Sequence, residues 1–248
     1  MKKKKIIALF IAYNASKTLK KFYQEFPKHL FDEIILVDDA SKDDTFRVAK
    51  KLGINSFKNP VNLGYGGNLK RAMQLGLQYK GDIFVDIHPD GEYQTSTIPQ
   101  AIKLMQGGAD LVLGNRFTSF SGPVKNGMYF WKLFPLKFLN VIDNMVLGIN
   151  ISDFHQGFRL YSRKLLETIN FNENSNSYLF SFELITQAAF HKAKIDQVPV
   201  ETNYKGKKRG ASLKSSIIYS LGTFKILALY ILAKMSYKTK IYKKELKK

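Results

Sequence analysis

The chain has 248 residues, 45% of them hydrophobic, which is enough for one well-cored domain with an appendage. Cysteine is absent, so a disulfide framework and a thiolate metal site are both excluded, and a reducing compartment suits the composition. The formal net charge of +19 admits three partners: nucleic acid, an anionic membrane surface or a phosphate-bearing substrate. No nucleic-acid-binding module is visible, and much of the charge lies in the C-terminal tail, so we expect no nucleic-acid partner.

Five residues into the chain an apolar run begins, residues 6–13, that superficially resembles a signal peptide. It is short, lacks a small-residue cleavage site and leads straight into Asn14 and a helical pattern, so it reads as a first core strand. Ser16 is the expected cap of a helix carrying Leu19, Phe22, Tyr23 and Phe26. A second strand, residues 34–37, stops at Asp38-Asp39-Ala40-Ser41, and Asp43, Asp44 and Thr45 fall in the first turn of a helix closed by Gly53. A short strand near residues 54–57 leads to Asn59-Pro60-Val61-Asn62-Leu63-Gly64-Tyr65-Gly66-Gly67-Asn68 and another helix. The run 82–87 then ends in His88-Pro89-Asp90-Gly91-Glu92-Tyr93-Gln94. A helix over about 97–105 and a strand over 109–113 lead to Gly114-Asn115-Arg116. This alternation predicts an α/β fold with a mostly parallel sheet flanked by helices.

Beyond Phe117 the rhythm changes. Tyr129, Phe130, Trp131, Phe134 and Phe138 predict a long helix to about Leu147, followed by the segment 153–161, a helix near 182–190 and a strand over 195–200. With no internal repeat and no low-complexity linker, residues 1–212 read as one domain and 213–248 as a tail. Residues 215–235 are rich in Ile, Leu, Tyr and Phe, but Gly222 and Lys225 interrupt them. Their unbroken apolar stretches fall short of the roughly 20 residues of a membrane span. With the lysines that follow, the tail is expected to be an amphipathic helix lying in a membrane interface; the alternative is a helix packed on the domain with a solvated lysine end.

An apolar strand ending in acidic and imidazole groups is how a buried strand delivers ligands to the carboxyl edge of a sheet, where open α/β folds bind their substrates. Asp90 and Glu92 are spaced to share one hard cation, with His88 close by. A polar strand-to-turn corner would show the same residues. Gly64-Tyr65-Gly66-Gly67 lacks the G-x-G-x-x-G spacing and does not follow the first strand, so it is not read as a dinucleotide site. His155 has no partner at metal-ligand spacing and reads as structural.

Taken in order, these pieces resemble a family 2 glycosyltransferase of the GT-A fold, in the branch of dolichyl- or polyprenyl-phosphate sugar synthases. The resemblance spans roughly residues 7–214. It rests on Tyr13-Asn14, the stretch from Val37 to Thr45, Asn62 to Asn68, His88-Pro89-Asp90-Gly91-Glu92-Tyr93, Gly114-Asn115-Arg116, Asp153 with Gln156-Gly157-Phe158-Arg159-Leu160-Tyr161, and residues 207–212. It implies an inverting enzyme with a nucleotide-diphospho-sugar donor and a polyprenyl-phosphate or lipid-linked acceptor, peripheral on the cytoplasmic membrane face. Tyr13, Asn14, Asp38 and Asp39 are then expected at the base and ribose, while Asn62, Gly64 and Gly67 let their loop pass close to the nucleotide. Asp90, with Glu92 and His88, is expected to hold Mg²⁺ or Mn²⁺. Arg116, Arg159, Lys207 and Arg209 are expected at phosphates, and Asp153 serves as a base or orients the acceptor. Three departures stand out: His88 replaces the first Asp of the family's Asp-x-Asp, and Ala12 and Ala15 replace the Pro and Glu that flank Tyr-Asn. They leave a catalytically impaired nucleotide-sugar-binding protein as a competing expectation, beside a transferase acting on a hydroxyl of a lipid-linked or cell-surface glycan.

Overall fold

In the computed structural model, residues 3–118, 122–202 and 213–242 are described. Seven strands form one sheet in the order β3-β2-β1-β4-β6-β5-β7, comprising β1 (Ile6–Ala12), β2 (Glu33–Asp38), β3 (Asn55–Lys58), β4 (Ile83–Ile87), β5 (Leu111–Asn115), β6 (Arg159–Ser162) and β7 (Ile195–Pro199). All the parallel strands present their carboxyl ends at one edge. The exception is β6, which pairs antiparallel with both β4 and β5 and therefore brings its first residue, Arg159, to that same edge opposite Asp86 and Leu113. This inserted strand was not expected from the sequence.

The helices are α1 (Ser16–Glu25), α2 (Thr45–Lys51), α3 (Gly64–Gln78), α4 (Ile98–Gln106), α5 (Gly122–Lys125), α6 (Phe130–Leu147), α7 (Arg163–Thr168), α8 (Phe180–Phe190) and α9 (Leu213–Lys234). Strand residues alternate between two cores, as the period of two requires. Phe10, Leu36, Val85 and Leu160 face one side with α1 and α4. Leu9, Val37, Phe84 and Tyr161 face the other with α3, α8 and α9.

Local details adjust two expectations and bear out a third, the end of the long helix near Leu147. Ser16 does not cap α1: Ala15 holds the cap position without a side-chain bond, and the Ser16 hydroxyl donates to Asp43 at 2.6 Å. Gly148, at φ +66°, ends α6 in the left-handed conformation that glycine accepts at a helix C-terminus. Finally, α9 is a continuous helix of 22 residues, and by length and composition it is apolar enough to cross a membrane, contrary to the expectation from its interruptions. Yet Ile226, Leu227, Tyr230 and Ala233 of α9 are buried in the same core as Leu9 and Phe84.

Candidate active site

The loops that leave the carboxyl edge are knitted together by acidic side chains. The Asn14 amide donates to the Ser41 hydroxyl at 2.8 Å, and the Asn14 side chain accepts from the Lys42 amide at 2.9 Å. This holds Tyr13, nearly half exposed, at the mouth of β1. At Asp43, partial burial pushes the carboxyl up, but hydrogen bonds from Ser16 and Thr45 outweigh it and hold the group down at about 2.

Asp38 is fully buried, bonded to the Ser41 hydroxyl and 3.8 Å from the Lys58 ammonium. Both contacts lie within the fold, tying the end of β2 to its own turn and to β3. Asp39 accepts from Leu63 N at 2.8 Å, Gly64 N at 3.0 Å and the Asn59 amide at 2.7 Å. It thus serves the open N-terminus of α3 from the end of the neighbouring strand β2, sharing the Gly64 amide with Asn62 Oδ1 of α3's own loop at 3.1 Å. Asn62 supports the same corner, donating to the Asp39 carbonyl at 3.2 Å.

The glycines of this loop answer a packing demand within the fold. At Gly64, φ is +78°, and an added Cβ would lie 2.8 Å from the Asn176 carbonyl. At Gly66 a Cβ would strike the Ser175 carbonyl and come within 2.7 Å of Phe180 Cβ, and at Gly67 it would lie 2.7 Å from Leu63 Cβ. What passes close to this loop is the segment leading into α8.

After β4 the chain places Asp90 and Glu92 side by side, with the Glu92 amide donating to Asp90 Oδ1 at 2.9 Å. Burial, then the Asp90 charge, pushes the Glu92 carboxyl up, against the pull of Arg116 and His88. Besides acting on Glu92, His88 meets the sheet edge: its Nε2 is 4.0 Å from Asp86 Oδ1, and its ring lies edge-on to Tyr65. No group of three His, Cys, Asp or Glu side chains gathers at metal-ligand spacing among the described residues, so the expected trio of His88, Asp90 and Glu92 is not assembled. The carboxylate pair does fit a Mg²⁺- or Mn²⁺-like ion, which takes one or two carboxylates and completes its shell with substrate phosphates and water.

Arg159 lies deeper. It is 2% exposed, and as the first residue of the antiparallel strand its side chain shares the lower face with Asp86 and Tyr161. Burial works against its charge there, while Tyr65, Tyr161, Asp86 and Tyr219 together raise its pKa. A guanidinium in this position supports the floor of the sheet edge, with its Nε and Nη1 buried and without a hydrogen-bond partner among the described residues. Asp153 is fully buried and accepts Arg116 Nε at 2.7 Å and Nη2 at 2.9 Å in a bidentate pair. Both of its oxygens are engaged, and Arg116 also donates to the His155 carbonyl at 2.8 Å.

One cation was missed. Lys132, in the first turn of α6, is buried, and its pKa is lowered by burial and by Arg116, against the raising effect of Glu92. Its ammonium lies 5.5 Å from the Tyr129 ring and 5.3 Å from the Trp131 ring. A lysine enclosed by aromatics was the one available signal. Lys207 and Arg209 lie outside the described residues.

Comparison with known proteins agrees with this geometry. The family model described as glycosyl transferase family 2 matches residues 8–169. The UDP-N-acetylglucosamine–dolichyl-phosphate N-acetylglucosaminyltransferase of Methanococcus voltae is 28% identical over 229 residues, covering 81% of this chain and 86% of that protein. The polyprenol monophosphomannose synthase of Mycolicibacterium smegmatis is 27% identical over 175 residues, covering 67% of this chain and 65% of that protein. Among solved structures, glucosyl-3-phosphoglycerate synthase from Mycobacterium tuberculosis in complex with UDP superposes with a TM-score of 0.69 at 20% identity, over 92% of this chain and 80% of that one. That likeness shows the fold, and the same synthase has been solved with Mn²⁺ and UDP-glucose. A family match over most of the chain, on a mostly parallel sheet of this topology, makes this protein a member of glycosyl transferase family 2, with the GT-A fold.

Proposed function

We propose that the enzyme moves a hexose from a nucleotide-diphospho-sugar, of the GDP-mannose or UDP-glucose type, to a polyprenyl phosphate, working peripherally on the cytoplasmic face of a membrane. Tyr13 and Asn14, on loops braced by Asp39 and Ser41, receive the base and ribose. Asp90 and Glu92 face the diphosphate, and a divalent cation held there would neutralise the leaving group as the glycosidic bond breaks. Arg116 and Lys132 set positive charge beside the carboxylates, where an incoming phosphate and the departing diphosphate both need it. Inversion at the anomeric carbon is what the family implies.

The observation that carries a phosphate acceptor is the engagement of Asp153. A sugar hydroxyl needs a base to take its proton, whereas a phosphate monoester is already anionic at neutral pH. Asp153 is buried and spent on Arg116, so a nucleophile that needs no base fits this geometry better. Relatives named for dolichyl-phosphate and polyprenol acceptors support the same class.

The test offers polyprenyl phosphate and a lipid-linked glycan hydroxyl as competing acceptors with labelled nucleotide sugars. Lys132→Met is expected to raise the apparent KM for polyprenyl phosphate about tenfold, about 1.4 kcal/mol, with an unchanged melting curve. Turnover of the hydroxyl acceptor in the absence of any transfer to polyprenyl phosphate would refute the proposal.

A further inference from the structure

Two helices that flank the site present more apolar surface than a soluble monomer ordinarily leaves in water. On α6, Phe130, Phe134, Phe138, Val141 and Met145 recur at spacings of three and four and are 56–79% exposed. On α9, Ile217, Leu221, Phe224 and Ile231, spaced four, three and seven apart, are 41–65% exposed, as is Met235 just beyond its end. The opposite side of α9, through Ile226, Leu227 and Tyr230, is buried in the core. A helix apolar all round belongs in a fully apolar setting, and the protein supplies that setting on one side only. At roughly half a side chain each, these residues expose on the order of 1,000 Å², above the few hundred Å² usual for a monomer's largest patch.

The two helices are joined. His155 sits between them, 2.9 Å from Asp143 of α6 and 3.1 Å from the Tyr219 hydroxyl of α9, and the Tyr230 hydroxyl donates to the Leu147 carbonyl at 3.4 Å. Charge indicates what covers them. Residues 213–242 carry five lysines and no Asp or Glu, and α6 adds Lys132 and Lys137. The one acid of α6, Asp143, is fully buried. A second copy of the chain would set lysine against lysine across this face, while an anionic lipid surface complements it. The first turn of α6 also carries Lys132, beside Glu92 and Arg116, so the apolar stripe begins at the mouth of the site.

We infer that α6 and α9 together form a docking surface for an anionic bilayer, their outward stripes seated in the interface and the site mouth held at the level of lipid head groups. The surface thus extends well beyond the C-terminal tail. It also fixes the pose of α9: crossing the bilayer would pull Ile226, Leu227 and Tyr230 out of the core, so the helix lies on the membrane and does not span it.

Trp131 is the only tryptophan in the chain and is 43% exposed, which makes it a native reporter. The full-length protein is mixed with vesicles of phosphatidylcholine alone or with phosphatidylglycerol, without polyprenyl phosphate or nucleotide sugar. Binding is expected to the anionic vesicles, with a blue shift of Trp131 emission and quenching by lipids brominated near the head group. Phe138→Ser and Ile217→Ser are each expected to weaken partitioning by about tenfold while leaving the melting temperature and the transfer of sugar to detergent-solubilised acceptor unchanged. Binding that both variants leave intact would overturn the inference. So would a lipid-free dimer in sedimentation that the same substitutions dissolve, or a bound protein that resists high-salt and alkaline extraction as a spanning helix does. The inference accompanies the polyprenyl-phosphate reading but does not depend on it: failure of transfer refutes that reading, whereas failure of vesicle binding refutes the surface.

Discussion

Asp153→Asn separates a positioning carboxylate from a catalytic base. In the structure the Asp153 side chain is fully buried and the Arg116 side chain 7% exposed, with the two groups joined by hydrogen bonds of 2.7 and 2.9 Å and a third from the Arg116 amide at 3.2 Å. Asparagine keeps the shape and one acceptor but removes the charge and half of the fork. The guanidinium is left in a poorly solvated place, kept from full isolation by the His155 carbonyl. Breaking a buried pair on one side costs about 3–5 kcal/mol, and the surviving acceptors put this case near the lower end. For a chain of this size that is a fall in melting temperature of roughly 6–12 °C, read by circular dichroism or differential scanning fluorimetry. Activity should fall as well, mainly as a raised KM for both substrates, because Arg116 loses its orientation. A solvent-facing base would behave in the opposite manner, with an unchanged melting curve and kcat down by two to four orders of magnitude for a hydroxyl acceptor. A shift of the melting temperature smaller than about 1 °C would refute the positioning argument.

Gly66→Ala should destabilise the protein by about 2–3 kcal/mol in urea unfolding, because its Cβ would have to displace the backbone of the segment before α8 and not a movable side-chain tip; full stability would show that this packing is not tight. Glu92→Gln tests the carboxylate pair. The Glu92 pKa is raised by burial and by Asp90, so the folded state holds more protons than the unfolded state above the ordinary glutamate range. Stability is therefore lost as pH rises through the folded value, and it stays lower at neutral pH. The glutamine variant without metal should consequently melt at the same or a higher temperature than the parent at pH 7, yet show a smaller rise on adding Mn²⁺. A lower melting temperature without metal, or an undiminished Mn²⁺ effect, would remove Glu92 from the cation site.

Most of the sheet was legible because buried parallel strands write themselves as β-branched runs between helical periods, as the β1, β2 and β4 segments do. The antiparallel strand β6 was not, since four residues carry too little periodicity to reveal direction or partners. Missing it displaced Arg159, which in a linear reading sits in a motif beside Asp153 but in the fold belongs to the underside with Asp86. The burial of α9 could not be read either. Its apolar residues surround the whole helix, so the pattern could not say which side the core would claim. Asp90 and Glu92 were legible because adjacent ligands on one turn need no tertiary information. Lys132 was not, for it reaches the site from a helix about forty residues further on.

The acidic residues of the sheet edge show why so many separate motifs have to recur in order along one chain. Asp38 is spent on Ser41 and Lys58, Asp39 on the backbone opening α3, Asp43 on Ser16 and Thr45, and Asp153 on Arg116. Each ties the loop after one strand to a different element, so the rim is preorganised before any ligand arrives and little ordering remains to oppose binding. Among these carboxylates only Asp90 and Glu92 stand next to each other, and the Glu92 pKa is raised by Asp90. Like charges held together at a partly buried place are a standing cost to the fold. A cation and a diphosphate would relieve that cost, which is the physical reason to place the chemistry there and to assign the other acids to architecture.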